Sequence, residues 1–114
     1  MNFKEFESIV KQNTQDTQSK LPSTFTDWQR LINQAVLNLS NELKGDVEIE
    51  TPINAVDQSS TINIDAGLIM SIVYDVCEML SNDINIKQKF IQQRNDVVYT
   101  HLWNLFKEQQ TRKI

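Results

Sequence analysis

The side chains best suited to chemistry are scarce in this chain, which has one histidine, His101, and one cysteine, Cys77. A zinc site draws on three or four nitrogen, sulfur or carboxylate ligands, usually led by Cys and His, so this pair excludes the common zinc sites within the chain. General acid–base catalysis needs a partner within hydrogen-bond reach. His101 stands instead on an apolar helical face and reads as a packed residue. Cys77 lies in the most apolar segment and reads as a small core hydrophobe. Asp46, Glu48 and Glu50 alternate along an extended segment, and Asp75 shares a helical face with Glu78. Oxygen ligands of this kind suit Ca²⁺ or Mg²⁺, but no calcium-loop spacing is present and both groups read as solvated acidic faces. With only Gly45 and Gly67 there is no loop to cradle a phosphate. The expectation is a chain without a catalytic centre, metal or cofactor.

The elements carrying these residues are mostly helical. At 114 residues the chain has the length of one domain, and two Gly and two Pro are too few for a fold of many tight turns. Phe3, Phe6, Ile9 and Val10 recur at helical spacing, and Asn2 with Glu5 predicts a cap for a short first helix. The polar run QNTQDTQSK then reads as a connector ending at Leu21-Pro22. A second helix follows from Thr26, whose spacing to Gln29 predicts a capping box. Trp28, Leu31, Ile32, Ala35, Val36, Leu39 and Leu43 form one apolar stripe along it, with Gly45 as its stop.

Residues 46–64 lose the helical period. Val47 with Ile49, and Ile62 with Ile64, alternate with polar residues and predict two short strands, a β-like arm between helices two and three. The third helix is expected from Asp65 to about Ser81. Its apolar residues nearly encircle it, leaving Ser71, Asp75 and Glu78 as the polar stripe. A helix this apolar must be covered on most sides, and part of its surface is expected to meet another subunit through Leu68, Ile72 and Met79. The fourth helix, from near Asp83 to about Gln110, is on the order of 40 Å long. A compact domain of this size is about 34 Å across, so this helix should protrude. Its exposed end would carry Trp103, Phe106, Lys107, Arg112, Lys113 and Ile114.

Net charge is −4, which argues against general affinity for nucleic acid. The distribution is lopsided: residues 41–85 hold nine acids and one base, whereas 86–114 hold six bases and two acids. Basic side chains such as Lys87, Lys89 and Arg94 are therefore expected to face the acidic middle of a neighbouring copy, a head-to-tail contact that builds a ring if its rotation closes. A rival use of the basic fourth helix is contact with DNA; a blander rival is a generic helical interaction or regulatory domain. One cysteine excludes an internal disulfide. The charged start MNFKEFESIV does not resemble a secretory signal, and the longest apolar stretch, 66–74, is too short to span a bilayer. These features predict a cytoplasmic site of synthesis and no membrane.

The segment TDWQRLINQAVLNLSNEL resembles the head–tail adaptor (connector) proteins of tailed bacteriophages. In that family a short first helix precedes one reading roughly W-x-x-L-I-N-x-A, matched here by Trp28, Leu31, Ile32, Asn33 and Ala35. The layout is also similar: an irregular acidic arm, a strongly apolar helix, then a long helix with an exposed tail. The resemblance implies a small four-helix adaptor in a ring, dodecameric in that family, at the head–tail junction of the virion. It implies a C-terminal segment docked on the portal protein, here Trp103 to Ile114, and a platform for the next tail or stopper component. It also implies an acidic channel lining past which DNA slides without specific binding, for which Asp46, Glu48, Glu50 and Asp57 are the candidates.

Overall fold

A computed structural model describes residues 1–15, 20–43 and 66–112, with side chains as far as 108. Four helices account for almost all of these: α1 (Phe3–Thr14), α2 (Phe25–Leu43), α3 (Ile69–Leu80) and α4 (Ile84–Arg112). No β-strand occurs among the described residues; the arm expected at 46–64 and the stop at Gly45 lie outside them, whereas the third helix starts at Ile69 and not at the expected Asp65, because 66–68 form a turn.

Helix α1 begins as its sequence predicts. Asn2 Oδ1 accepts the Glu5 backbone N–H at 2.8 Å, and Asn2 Nδ2 donates back to the Glu5 carboxylate at 3.2 Å. This satisfies a donor that the first helical turn leaves open. The helix outlasts its apolar stripe and takes in the first residues of the expected connector. Asn13 Nδ2 donates to the Ile9 carbonyl at 2.8 Å, and Thr14 Oγ1 to the Val10 carbonyl at 2.7 Å. Both are back-bonds from a side chain to the carbonyl four residues earlier, which give these polar groups a partner inside the helix, and Thr14 is buried there.

Helix α2 starts earlier than the expected cap at Thr26. The Asp27 backbone N–H reaches Thr24 Oγ1 at 3.3 Å, and the Trp28 N–H reaches the Thr24 carbonyl. Thr24 is therefore the cap, and Phe25 enters the helix so that its ring meets Phe3 edge-on, centroids 4.7 Å apart. Trp28 packs against the same ring at 5.9 Å. The stripe is buried as the spacing predicts at Ile32, Ala35, Val36, Leu39 and Leu43, while Leu31 is half-buried at its edge.

Helix α3 is covered by its own chain rather than by a second subunit. It begins at Ile69 after a turn at 66–68, and α1, α2 and α4 all pack against it. None of its twelve residues is exposed. Leu68 and Ile72 sit at 0% and 1% exposure inside the chain's own core. They are thus not available to a second subunit, because α1, α2 and α4 together cover the helix. Ser71, expected on a polar stripe, is also buried; its hydroxyl donates to the Leu68 carbonyl, which removes the cost of hiding it.

A tight hairpin joins α3 to α4. Ser81 is extended, and its buried hydroxyl donates to the Cys77 carbonyl at 2.8 Å. Asp83 then caps α4, accepting from the N–H groups of Asn85 at 2.8 Å and Ile86 at 3.2 Å. The polar QQRND segment (92–96) does not interrupt the helix, which runs unbroken for 29 residues. At 1.5 Å per residue α4 is about 43 Å long against about 18 Å for α3. Its last turns therefore run past the helix that supports it. The radius of gyration, 14.8 Å, exceeds the roughly 13 Å of a compact domain this size, as an outrunning helix requires.

Candidate docking surface

Helix α4 has two unlike sides. On the near side Phe90 and Val98 are buried, with Ile86 and Leu102 half-buried against the same core. Phe90 stacks on Tyr74 of α3 at 6.5 Å. Around this apolar contact runs a polar seam. Lys87 Nζ donates to the Glu78 carbonyl at 3.0 Å and lies 3.7 Å from its carboxylate. Arg94 forms a direct ion pair with Glu42 of α2 and also donates to Asn95 Oδ1 at 3.0 Å. Asn38 of α2 donates to Asp75 of α3 at 3.3 Å and accepts from Gln34 at 2.9 Å. Burial holds the Asp75 carboxyl above its usual range, while the Asn38 hydrogen bond and the Arg94 charge oppose that rise. Gln93 Oε1 is buried without a hydrogen-bond partner among the described residues.

This seam is what sequence patterning misses. The QQRND segment looks like a solvent-facing break, yet Gln93, Arg94 and Asn95 are half-buried. Arg94 finds its carboxylate on α2, across the fold, a pairing that no local spacing announces. Two of the bases expected to face a neighbouring copy, Lys87 and Arg94, are thereby engaged within the chain. Lys89 is exposed and Met79 half-buried.

The far side of α4 is exposed and apolar. Ile84, Ile91, Tyr99, Trp103 and Phe106 all lie in water, and at 100° per residue they fall within one arc of the helix. Contiguous exposed patches of this kind mark interaction sites more than single exposed residues do. Toward the C-terminus Trp103 and Phe106 stack, centroids 5.8 Å apart and planes 20° from parallel. Lys107 Nζ lies 5.3 Å from the Trp103 ring centroid, in cation–π range. Two large rings and an ammonium group thus form a pre-arranged plate on the part of α4 that has outrun α3. Trp103 is 55% exposed and Phe106 50%. Arg112 is helical, but its side chain, like Lys113 and Ile114, lies outside the described residues, as do the acidic candidates Asp46, Glu48, Glu50 and Asp57.

Cys77 is fully buried, and desolvation pushes its thiol up to about 12. It is thus an inert core side chain at neutral pH. His101 is half-buried on α4. Among the described residues no three His, Cys, Asp or Glu side chains gather where a metal ion could be held. No described helix is long and apolar enough to cross a membrane. No protein-family model, curated protein or solved structure matches the chain.

Proposed function

We propose that this chain is a structural adaptor, and that it docks on a larger protein assembly through the aromatic plate at the C-terminal end of α4. The observation that carries the reading is the Trp103–Phe106 stack with Lys107 beside it, held in water on a helix that outruns its support. Aromatic residues in a rigid, exposed arrangement are the usual anchors of protein interfaces. Stacking before contact lowers the ordering cost of binding.

The concrete form of the proposal follows the phage resemblance. Copies of the chain form a ring at the head–tail junction of the virion, assembled in the host cytoplasm. Each copy docks its tail, Trp103 to Ile114, on the portal protein, and the ring offers its other end to the next tail or stopper component. The acidic arm, with Asp46, Glu48, Glu50 and Asp57, lines the DNA channel, where like charge lets DNA pass. Contacts between ring neighbours use Lys89, which is exposed, and the part of half-buried Met79 that the chain's own core leaves uncovered. The engagement of Lys87 and Arg94 in intrachain pairs weakens the rival reading of α4 as a DNA-binding face.

Electron microscopy of the chain mixed with portal-bearing particles tests this reading. The expected result is a ring of copies at the portal vertex, each with its C-terminal segment against the portal. Bare portal vertices, or absence of the chain from the native virion, would overturn it.

A further inference from the structure

The exposed side of α4 has a second property, independent of any portal. Along the edge where this side meets the core lie Ile84, Gln88, Ile91, Asn95, Tyr99, Leu102 and Phe106, of which Asn95 and Leu102 are half-buried and the rest exposed. The steps between them are four, three, four, four, three and four residues, the same read in either direction about Asn95. Two such helices laid side by side in opposite directions therefore match position for position. Ile84 meets Phe106 of the second copy, Gln88 meets Leu102, Ile91 meets Tyr99, and Asn95 meets its own equivalent on the two-fold axis. An eleven-residue repeat of this kind gives about 3.67 residues per turn, close to a straight helix, so the contact can run the length of the stripe without supercoiling far.

We infer that α4 pairs with a second copy of this chain, antiparallel and centred on Asn95. Three observations favour this occupant over an unrelated partner. The register is self-complementary, as a two-fold contact between identical surfaces demands. The position on the axis is a half-buried Asn whose Oδ1 accepts from Arg94 of its own chain, and a single Asn in a helix seam is a known way to fix register. The area suits a weak, transient pair. The four exposed apolar side chains of this stripe, Ile84, Ile91, Tyr99 and Phe106, are between 42% and 68% exposed. Taking about 200 Å² for each whole side chain, they offer on the order of 440 Å² per copy. A pair then buries about 900 Å², below the standard size of stable interfaces and in the range of weak, transient contacts. Because Tyr99 borders the proposed docking plate and Phe106 is part of it, pairing shields that plate until a tighter partner displaces it.

Sedimentation equilibrium of the full chain over a wide concentration range tests the inference, with circular dichroism to confirm that each variant keeps its fold. The wild type is expected to pass from monomer to dimer. Ile91→Glu alone and Tyr99→Lys alone, both at exposed positions, should each weaken pairing by at least about tenfold. The double variant should recover it, because the introduced carboxylate of one copy meets the introduced ammonium of the other only in the antiparallel register. A monomer at every concentration overturns the inference, as does a dimer indifferent to both single changes. A dimer that the double variant fails to restore overturns the register. None of these outcomes depends on a portal, so the result is separable from the docking reading.

Discussion

Helix α3 and the C-terminal half of α4 are both rich in apolar residues, yet they have opposite fates. Three helices surround α3, and its Ile72, Val73 and Val76 are buried to 1% or less. The end of α4 runs past its support, and Tyr99, Trp103 and Phe106 stay in water. The α3 sequence is much the more apolar of the two, so apolar content alone would place the interaction surface there. Geometry reverses the assignment. What decides is whether an element is matched in length by its neighbours: α3, about 18 Å long, is, and α4, about 43 Å long, is not.

This contrast can be broken from either side. The largest effect is expected in the core. Trp28→Ala removes a buried ring from the contact with Phe3 and should cost about 3–5 kcal/mol in denaturant unfolding. On the exposed side, Trp103→Ala with Phe106→Ala should leave unfolding free energy within about 0.5 kcal/mol per change. The same pair should weaken docking by about 2 kcal/mol or more, in the manner of interface anchors, roughly a thirtyfold loss in a binding titration. If the double variant also lost comparable stability, the plate would belong to the core and the contrast would disappear.

The seam between the two regions supplies smaller effects. Arg94→Met removes the partner of Glu42, which is only partly buried and can turn to water, so a loss of about 1 kcal/mol is expected in the same unfolding experiment. Asp75 gives a change of opposite sign. Its folded-state carboxyl titrates above the usual value because burial disfavours the charge. The unfolded chain therefore ionises first as pH rises, and stability falls from the ordinary aspartate range upward through the raised folded value. Asp75→Asn keeps an oxygen to accept from Asn38 and removes that penalty. Its melting temperature should exceed the wild type's at about pH 7, and the gap should close near pH 3, where Asp75 is mostly protonated in both states.

Local features were legible in the sequence wherever the cause was local. The Asn2–Glu5 cap, the Asp83 start of α4 and the stripe from Trp28 to Leu43 follow from spacing and capping chemistry, and all are present. Two threonines at 24 and 26 are equally good caps. The choice fell to Thr24 because Phe25 then packs on Phe3, a tertiary contact. The coverage of α3 was illegible for the same kind of reason, since periodicity shows how much surface needs a partner but not how many helices arrive. Of the surface residues, Trp103, Phe106 and Lys107 were readable from the excess length of α4. Ile84, Ile91 and Tyr99 were hidden because they sit outside the core period of the helix that carries them. The inward turn of Arg94 depends on Glu42, which reaches it only after the chain has folded.

The docking plate itself is most directly tested by cosedimentation of the chain with portal-bearing particles, comparing the wild type with the Trp103→Ala, Phe106→Ala double variant. The account predicts that the wild type travels with the particles while the equally stable variant stays in the supernatant. Equal cosedimentation of both, or of neither, would contradict it.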